Sequence, residues 1–266
     1  MTAGSLPAPL RQAVARLART SRLLVVCDYD GTLAPIVADP ARAVPRPESV
    51  QALRDLADLP ETTAGVISGR ALRDLAALSR LPAGVQLIGS HGAEFDAGFL
   101  NALDDEAQAL RRQLEADLEA LVGRTPGVFL ETKPASVAVH VRRAEPSVGE
   151  SALEAVRSGP ARWEGVHVTE GKAVIELAVV ETDKGEALDM LRRQADATAA
   201  LFVGDDVTDE KAFARLAGPD VGVKVGPGAS LAEYSVPDTG DAAAMLAYLL
   251  AERSAWLSGE MGRSSG

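Results

Sequence analysis

The chain has 266 residues, of which 47% are apolar and 24% charged, as is ordinary for a globular protein with an ample core. Its formal net charge of −11 argues against nucleic acid or an anionic membrane as a partner, and is compatible with a monomer that acts on a small molecule. The start of the chain has no basic segment followed by an apolar one, and no uncharged apolar run approaches the roughly 18 residues of a membrane span. A single cysteine, Cys27, fits a reducing compartment, and we expect a cytoplasmic location.

Short apolar runs alternate with helical patterns along most of the chain. The runs are rich in Val, Ile and Leu and lack clean polar–apolar alternation, which predicts buried parallel strands and a doubly wound α/β sheet. The predicted strands are Leu23–Cys27, Thr62–Ile67, Val85–Ile88, Ala199–Val203 and Val221–Val225. The predicted helices are Pro47–Leu59, Ala71–Leu78, Lys184–Gln194, Asp209–Leu216 and one near Asp241–Ala251.

The middle of the chain has a different pattern. Leucines and alanines at three- and four-residue spacing predict a long amphipathic helix over Leu103–Val122. Two strand pairs and a shorter helix follow it, predicted at Gly127–Thr132, Ser136–Val141, Ser147–Ser158, Ala161–Thr169 and Ala173–Val180. This mixture predicts a separate α+β module at residues 97–181, inserted into an α/β core of residues 1–96 and 182–266.

Two aspartates directly follow the first predicted strand, in the segment Asp28-Tyr29-Asp30-Gly31-Thr32. Open α/β sheets bind their ligands at the carboxyl ends of the strands, so Asp28 and Asp30 are candidates for chemistry. Two carboxylates this close need a cation between them, or one of them must take a proton. An Asp-Gly turn that only closes a strand is the alternative interpretation, but the whole segment is more specific than such a turn.

Two further junctions could bind phosphate. Ser68, Gly69 and Arg70 supply a hydroxyl, a permissive backbone and a guanidinium where a helix begins, and free amides there suit a phosphate oxygen. Lys184 falls in the first turn of a helix that Thr182 or Asp183 can cap, where the helix dipole disfavours a cation. A lysine in this place makes sense if it faces a phosphate or a carboxylate. The alternatives are a simple N-cap for Ser68 and a solvated surface lysine for Lys184.

An acidic cluster follows the fourth predicted strand. Asp205, Asp206, Asp209 and Glu210 fall within six positions, which is unfavourable without a counter-ion. Hard oxygen ligands of this kind suit Mg²⁺. Acidity at the start of a helix explains Glu210 but not the two aspartates upstream, so the sequence predicts a magnesium site here.

These four motifs together resemble those of the haloacid dehalogenase-like phosphatases. Over roughly residues 22–250 the sequence is similar to that of trehalose-6-phosphate phosphatases. The resemblance implies that Asp28 is the nucleophile and that Asp30 is the general acid and later the base. It also implies that Asp28, Asp30 through its carbonyl, and Asp205 hold Mg²⁺, supported by Asp206 or Asp209, while Ser68 and Lys184 bind phosphate. The inserted module would then recognise the sugar. Candidate phosphate or sugar contacts are Gly69, Arg70, His91, Glu94, Glu131, Lys133, His140, Arg142, Glu170 and Lys172.

Three alternatives stay open at this point. The core motifs also fit a phosphatase of another glycosyl phosphate, such as sucrose phosphate or a glycosyl phosphoglycerate. A signalling receiver domain also combines an acidic pocket, a phosphorylated aspartate and a lysine, but is about half as long and needs no insert. A sugar-phosphate binding protein without catalysis is disfavoured because the carboxylates of the motifs are intact.

Overall fold

The computed structural model describes residues 6–95, 98–99, 103, 105–171, 173–180 and 183–264. The chain divides into two compact units, one formed by residues 1–97 and 183–266 and the other by residues 98–182. The larger unit is therefore built from both ends of the chain, with the smaller unit inserted between them. Each boundary lies one residue from the position expected from the sequence.

A mostly parallel sheet forms the centre of the larger unit. Seven of its strands are β1 (Leu23–Cys27), β2 (Thr62–Ile67), β3 (Val85–Gly89), β4 (Glu94–Phe95), β10 (Ala199–Gly204), β11 (Val221–Val225) and β12 (Tyr234–Val236). They lie in the order β12-β11-β10-β1-β2-β3-β4, and every pairing from β12 to β3 is parallel, whereas β4 is antiparallel to β3. The helices of this unit are α1 (Ala8–Leu17), α2 (Pro47–Ala57), α3 (Leu72–Ser79), α6 (Lys184–Gln194), α7 (Glu210–Phe213) and α8 (Thr239–Ser264).

Alternate residues of β1 pack into two different apolar clusters, one on each face of the sheet. Val25 joins the cluster that contains residues of α1, α2, α3 and α8, whereas Val26 joins the cluster that contains residues of α6 and α7. The sheet is thus covered on both faces, which explains why its central strands β1 and β10 contain no polar side chain. Among the described residues, no helix is both long and apolar enough to cross a membrane.

The smaller unit is an antiparallel sheet with its own apolar core. The strand order is β6-β7-β9-β8, and valines of β7 and aliphatic residues of β9 pack with α4 and α5. Its elements are β5 (Gly98–Phe99), α4 (Asp105–Val122), β6 (Phe129–Thr132), β7 (Ser136–His140), α5 (Pro146–Ser158), β8 (His167–Gly171) and β9 (Val174–Ala178).

Three elements differ from the sequence-based expectation. The strand predicted at Ala161–Thr169 is wrong in its first half, because Pro160–Arg162 forms a 3₁₀ turn and the strand occupies His167–Gly171. The helix predicted at Asp209–Leu216 is shortened to Glu210–Phe213, because the 3₁₀ turn Val207–Asp209 takes its first residue and the helix ends three residues early. The last helix is longer than predicted and extends to Ser264, because its final seven residues include two glycines and two serines, which are weak helix formers and gave no helical signal.

A buried arginine ties the last helix to the loops before β1 and β2. Arg253 is fully buried, and its guanidinium donates to the backbone carbonyls of Ala18, Thr20, Ser21 and Glu61. It also lies over the ring of Trp256, 4.8 Å from the centroid. One side chain therefore donates to four backbone carbonyls, of which that of Glu61 also accepts from the amide of Leu23.

We expect Arg253→Met to lower the free energy of unfolding by about 3 kcal/mol, because one buried and three partly buried carbonyls lose their donor at once. The exposed Arg193→Met, on the solvent side of α6, should change it by less than about 0.5 kcal/mol. Urea unfolding of both variants compares the two values. Equal stabilities for the two variants would contradict this role for Arg253.

Candidate active site

Three charged side chains from three elements meet at the carboxyl end of the sheet. Lys184, the first residue of α6, places its Nζ 2.7 Å from Asp28 Oδ1 and 2.7 Å from Asp209 Oδ1. Asp28 follows β1, and its amide donates to the carbonyl of Val203 on β10, which pairs directly with β1. Lys184, Asp28 and Asp209 are all at most 4% exposed. The position of Lys184 in the first helical turn is thus explained by two carboxylate partners.

The acidic loop after β10 is folded around Asp209. Its Oδ2 accepts hydrogen bonds from the amides of Asp205 and Asp206, each at 2.9 Å. The carboxylate of Asp206 is instead exposed and caps the following 3₁₀ turn by accepting from the amide of Val207. The structure therefore places Asp209 inside the charged cluster and Asp206 in a capping role outside it.

The electrostatics of this cluster are dominated by burial and by like charges. Burial raises the pKa of Asp28 well above its usual range, although the Lys184 ammonium opposes this. Burial, together with the carboxylates of Asp209 and Asp206, raises the pKa of Asp205 to about 6. For Lys184, burial works against the charged form, but Asp28 and Asp209 outweigh it and raise the pKa. The cluster is therefore short of positive charge by its own composition.

The donor set fits a hard divalent cation. One carboxylate oxygen each from Asp28, Asp205 and Asp209 lie within 4.8 Å of one another. Asp205 Oδ1 is buried and has no hydrogen-bond partner among the described residues, which is costly unless something else binds it. Oxygen-only ligands from three carboxylates suit Mg²⁺ better than a softer metal.

Gly31 is required for the close approach of the first motif to the Asp205 carboxylate. A Cβ at this position would lie 2.0 Å from Asp205 Oδ2, and the residue has a φ of +83°, which L side chains rarely adopt. The turn after the first motif therefore brings its backbone directly against the carboxylate of the acidic loop. Only glycine permits that contact, which gives the Asp-Gly step a purpose beyond closing a strand.

Asp30 is not part of the three-carboxylate cluster. Its carboxylate accepts two hydrogen bonds from the Arg70 guanidinium, from Nε at 2.6 Å and from Nη2 at 2.6 Å. Arg70 also donates to the carbonyl of Pro40 and lies 5.4 Å from the ring centroid of Tyr29. In this structure the Arg70 guanidinium is bound to Asp30, so it neutralises the second aspartate of the motif instead of pointing at an open anion site.

The Ser68–Arg70 turn lies against a left-handed loop. Ser68 is buried at the end of β2, and its Oγ accepts from the amide of Arg70. His91 has a φ of 55°, and a Cβ on Gly69 would lie 2.5 Å from its imidazole Cε1, so the ring packs directly on the Gly69 backbone. Glu94 accepts from the hydroxyl of Ser90 and so holds the same loop. His91 thus packs on the candidate phosphate turn, whereas Glu94 stabilises the loop that carries His91.

The sugar-contact candidates of the smaller unit form two pairs on its sheet. The Nε2 atom of His140 lies 2.8 Å from Glu131 Oε2, and Lys133 Nζ donates to Glu176 Oε2 at 2.9 Å. The register places Glu131 opposite Ala138 and Ala138 opposite Glu176, so these carboxylates share the sheet face that the apolar core does not use.

The other candidates in this unit are placed differently. Glu170 is bound by both Nε and Nη2 of Arg157 from α5, in an exposed ion pair. Arg142 is exposed just beyond β7, and Lys172 lies outside the described residues. The structure thus gives Glu170 a partner on the helical side of the sheet, away from the Glu131 and Lys133 pairs.

Sequence reasoning missed Lys224. It lies on β11 in register with Gly204, is only 7% exposed, and donates from Nζ to the backbone carbonyl of Asp205. A lysine inside an otherwise apolar strand, Val221–Val225, is the signal that could have drawn attention to it.

The sequence pattern of the trehalose-phosphatase family matches residues 26–234. The chain is 34% identical over 227 residues to a bifunctional trehalose-6-phosphate synthase/phosphatase of Thermoproteus tenax, covering 83% of this chain and 31% of that protein. It is 32% identical over 220 residues to the trehalose-6-phosphate phosphatase of Escherichia coli, covering 79% of this chain and 81% of that one. Several other curated relatives are longer, and the chain spans about half the length of the mycobacterial ones.

A solved structure supports the fold. The C-terminal domain of the C. albicans trehalose-6-phosphate phosphatase superimposes with a TM-score of 0.78 at 24% identity, covering 94% of this chain and 99% of that one. The α/β class predicted from the sequence, with a haloacid dehalogenase-like core and an inserted module, is confirmed by such matches. The match of the family pattern to most of the chain shows that this protein belongs to the trehalose-phosphatase family.

Proposed function

We propose that this protein hydrolyses trehalose 6-phosphate to trehalose and phosphate through an aspartyl-phosphate intermediate on Asp28, with Mg²⁺ as cofactor. The observation that carries the proposal is the buried triad in which Lys184 bridges Asp28 and Asp209 at 2.7 Å each, beside Asp205. A carboxylate nucleophile, an ammonium and a cation site at one strand end are what phosphoryl transfer requires. The substrate is inferred from the family and from the printed names of the relatives.

The proposed reaction consists of two successive displacements at phosphorus. An oxygen of Asp28 attacks phosphorus while Asp30 gives a proton to the departing sugar oxygen, so the P–O bond to the sugar breaks as the Asp28–phosphate bond forms. Asp30 then takes a proton from water, and the water oxygen attacks phosphorus and releases Asp28. Lys184 and the Ser68 hydroxyl would bind the phosphoryl oxygens and offset their charge.

The cation would be held by Asp28, Asp205 and Asp209, with the Asp30 carbonyl as a further ligand. When bound, Mg²⁺ supplies positive charge to the phosphoryl oxygens and orients them. The protein's part is to hold Asp28 in position through the Lys184 ion pair, and the Lys184 ammonium opposes the burial that raises the pKa of Asp28. Asp209 contributes indirectly as well, because it holds Lys184 and the amides of the acidic loop together.

We propose that the smaller unit recognises the sugar. The sheet face opposite its apolar core carries the Glu131–His140 and Lys133–Glu176 pairs, and paired donors and acceptors of this kind suit the hydroxyl groups of a disaccharide. Phe129 on the same face contacts the His140 ring, with centroids 6.0 Å apart. In the larger unit, His91 is the further candidate because of its place on the Gly69 backbone.

Phosphate release from a panel of sugar phosphates, with Mg²⁺ and with EDTA, tests the proposal. A strong Mg²⁺-dependent preference for trehalose 6-phosphate over sucrose phosphate and a glycosyl phosphoglycerate is the expected result. Mg²⁺-dependent release from one of the other sugars instead would keep the reaction and overturn the substrate. No release from any of them would favour a receiver or a binding protein.

The role of Asp30 can be tested through the leaving group. We expect Asp30→Asn to slow hydrolysis of trehalose 6-phosphate by about 10²-fold or more, because an alkoxide leaves poorly without a proton. An aryl phosphate, whose leaving group is a weaker base, should lose much less. Measuring kcat for both substrates decides the matter, and equal losses would count against Asp30 as the acid.

A further inference from the structure

Lys224 is a buried cation whose contacts are carbonyl oxygens. Its Nζ donates to the carbonyl of Asp205 and, at 3.2 Å, to the carbonyl of Val225. No ion pair of Lys224 occurs within the part of the chain that the structure describes. Burying an ammonium is costly unless its donors are used, so its retention in an apolar strand calls for a reason.

The reason is found at Asp205, whose backbone carbonyl accepts the hydrogen bond from Lys224. The backbone of Asp205 is fixed on both sides, since its amide donates to Asp209 Oδ2 and its carbonyl accepts from Lys224. Its carboxylate is pressed against the Gly31 backbone, and its Oδ1 has no partner among the described residues. Every group of Asp205 is thus held except the oxygen that a cation would bind.

We propose that Lys224 is a positioning residue that fixes Asp205 for a divalent cation. This rests on the proposed function, in which the cation is part of the site. The strand register supports it, because Lys224 lies beside Gly204 and its long side chain reaches the carbonyl of the next residue. Partners that orient the ligands of a metal commonly change its affinity by 10- to 100-fold.

The sign of the effect separates this role from simple electrostatics. An ammonium near a cation site repels the cation, so removal of Lys224 as a point charge would tighten cation binding. Removal of Lys224 as the anchor of Asp205 would weaken it. A residue that served only the stability of β11 would change the melting temperature of the protein and leave the cation affinity of the folded state unaltered.

The experiment is calorimetric titration of the full chain with Mn²⁺ and with Mg²⁺ in the absence of substrate. We expect Lys224→Met to raise the Kd at least about 10-fold, and Lys224→Arg, which keeps charged donors, to raise it clearly less. Lys211→Met, which removes an exposed lysine from α7, is the matched control and should leave the Kd within about threefold of the wild-type value.

Activity gives a second readout. The magnesium concentration for half-maximal phosphate release should rise in Lys224→Met, while kcat at saturating Mg²⁺ returns towards the wild-type value. If the Met variant does not fold, Lys224→Gln replaces it, because it removes the charge and shortens the donor side chain by one bond. An unchanged or lower Kd in the folded variant would overturn the proposal. Failure of the proposed function looks different, since the wild-type chain itself would then bind no cation or release no phosphate.

Discussion

Asp28→Asn should abolish turnover of trehalose 6-phosphate, with kcat reduced at least about 10⁴-fold, because an amide cannot form the phospho-enzyme bond. The fold should persist. Asparagine has nearly the same shape, and Lys184 keeps its second partner, Asp209, at 2.7 Å. Steady-state phosphate release measures the loss, and circular dichroism with thermal unfolding verifies that the variant is native.

Asp206→Asn is the matched control for this variant. It removes the same charge from the same site region, but the Asp206 carboxylate is exposed and caps a turn, a role that asparagine also fills. We expect kcat within about threefold of the wild-type value, the range of a surface charge change. Near-normal turnover in Asp28→Asn, or a comparable loss in the control, would show that the nucleophile is assigned to the wrong residue.

Lys184→Met should lower both stability and activity. The change leaves two buried carboxylates, Asp28 and Asp209, without their shared cation, and breaking a buried ion pair in this way costs about 3–5 kcal/mol. Turnover should fall about 10²–10³-fold, since a charge that stabilises the transferring phosphoryl group is lost. Unfolding free energies in EDTA and kcat at saturating Mg²⁺ provide the two measurements.

The stability loss should shrink when Mg²⁺ is present, because a bound cation supplies some of the missing positive charge. Lys211→Met again serves as the control, since its ion pair with Asp183 is long, at 3.6 Å, and exposed. It should cost less than about 1 kcal/mol. If Lys184→Met were as stable and as active as this control, the bridging role of Lys184 would be refuted.

The strand ends that form the candidate site could be predicted from the sequence because each motif follows an apolar run directly. Asp28, Ser68 and Asp205 all lie where a buried parallel strand gives way to a loop, and such loops converge on one edge of a sheet. What the sequence could not supply is the strand order. Only the pairing of β10 with β1 brings Asp28 beside the acidic loop, although 170 or more residues separate them.

Partners of long side chains were less predictable, because they depend on tertiary contacts. Arg70 pairs with Asp30 across 40 positions, and Lys224 finds a backbone carbonyl that carries no sequence signature. The choice between Asp206 and Asp209 likewise depended on the conformation of the loop. The sequence does not distinguish these two aspartates, which lie three residues apart, but the 3₁₀ turn directs only Asp209 towards Lys184.

The smaller unit shows the same contrast. Its long helix and its strands could be predicted from apolar spacing, since the helix and the sheet must bury one face each. The pairing of Glu131 with His140 follows only from the register of β6 and β7. In the sequence Glu170 cannot be told from Glu131, since both are glutamates of the inserted module, yet Glu170 pairs with Arg157 on α5.

Borohydride trapping during turnover tests the central claim most directly. The phospho-enzyme bond of an aspartyl phosphate is reduced by borohydride, which converts the modified aspartate into homoserine, and peptide mass mapping locates it. We predict that the modification appears at Asp28 only, requires both trehalose 6-phosphate and Mg²⁺, and is absent from Asp28→Asn. Modification at Asp30 or Asp205, or continued phosphate release with no trapped residue at all, would contradict the proposed mechanism.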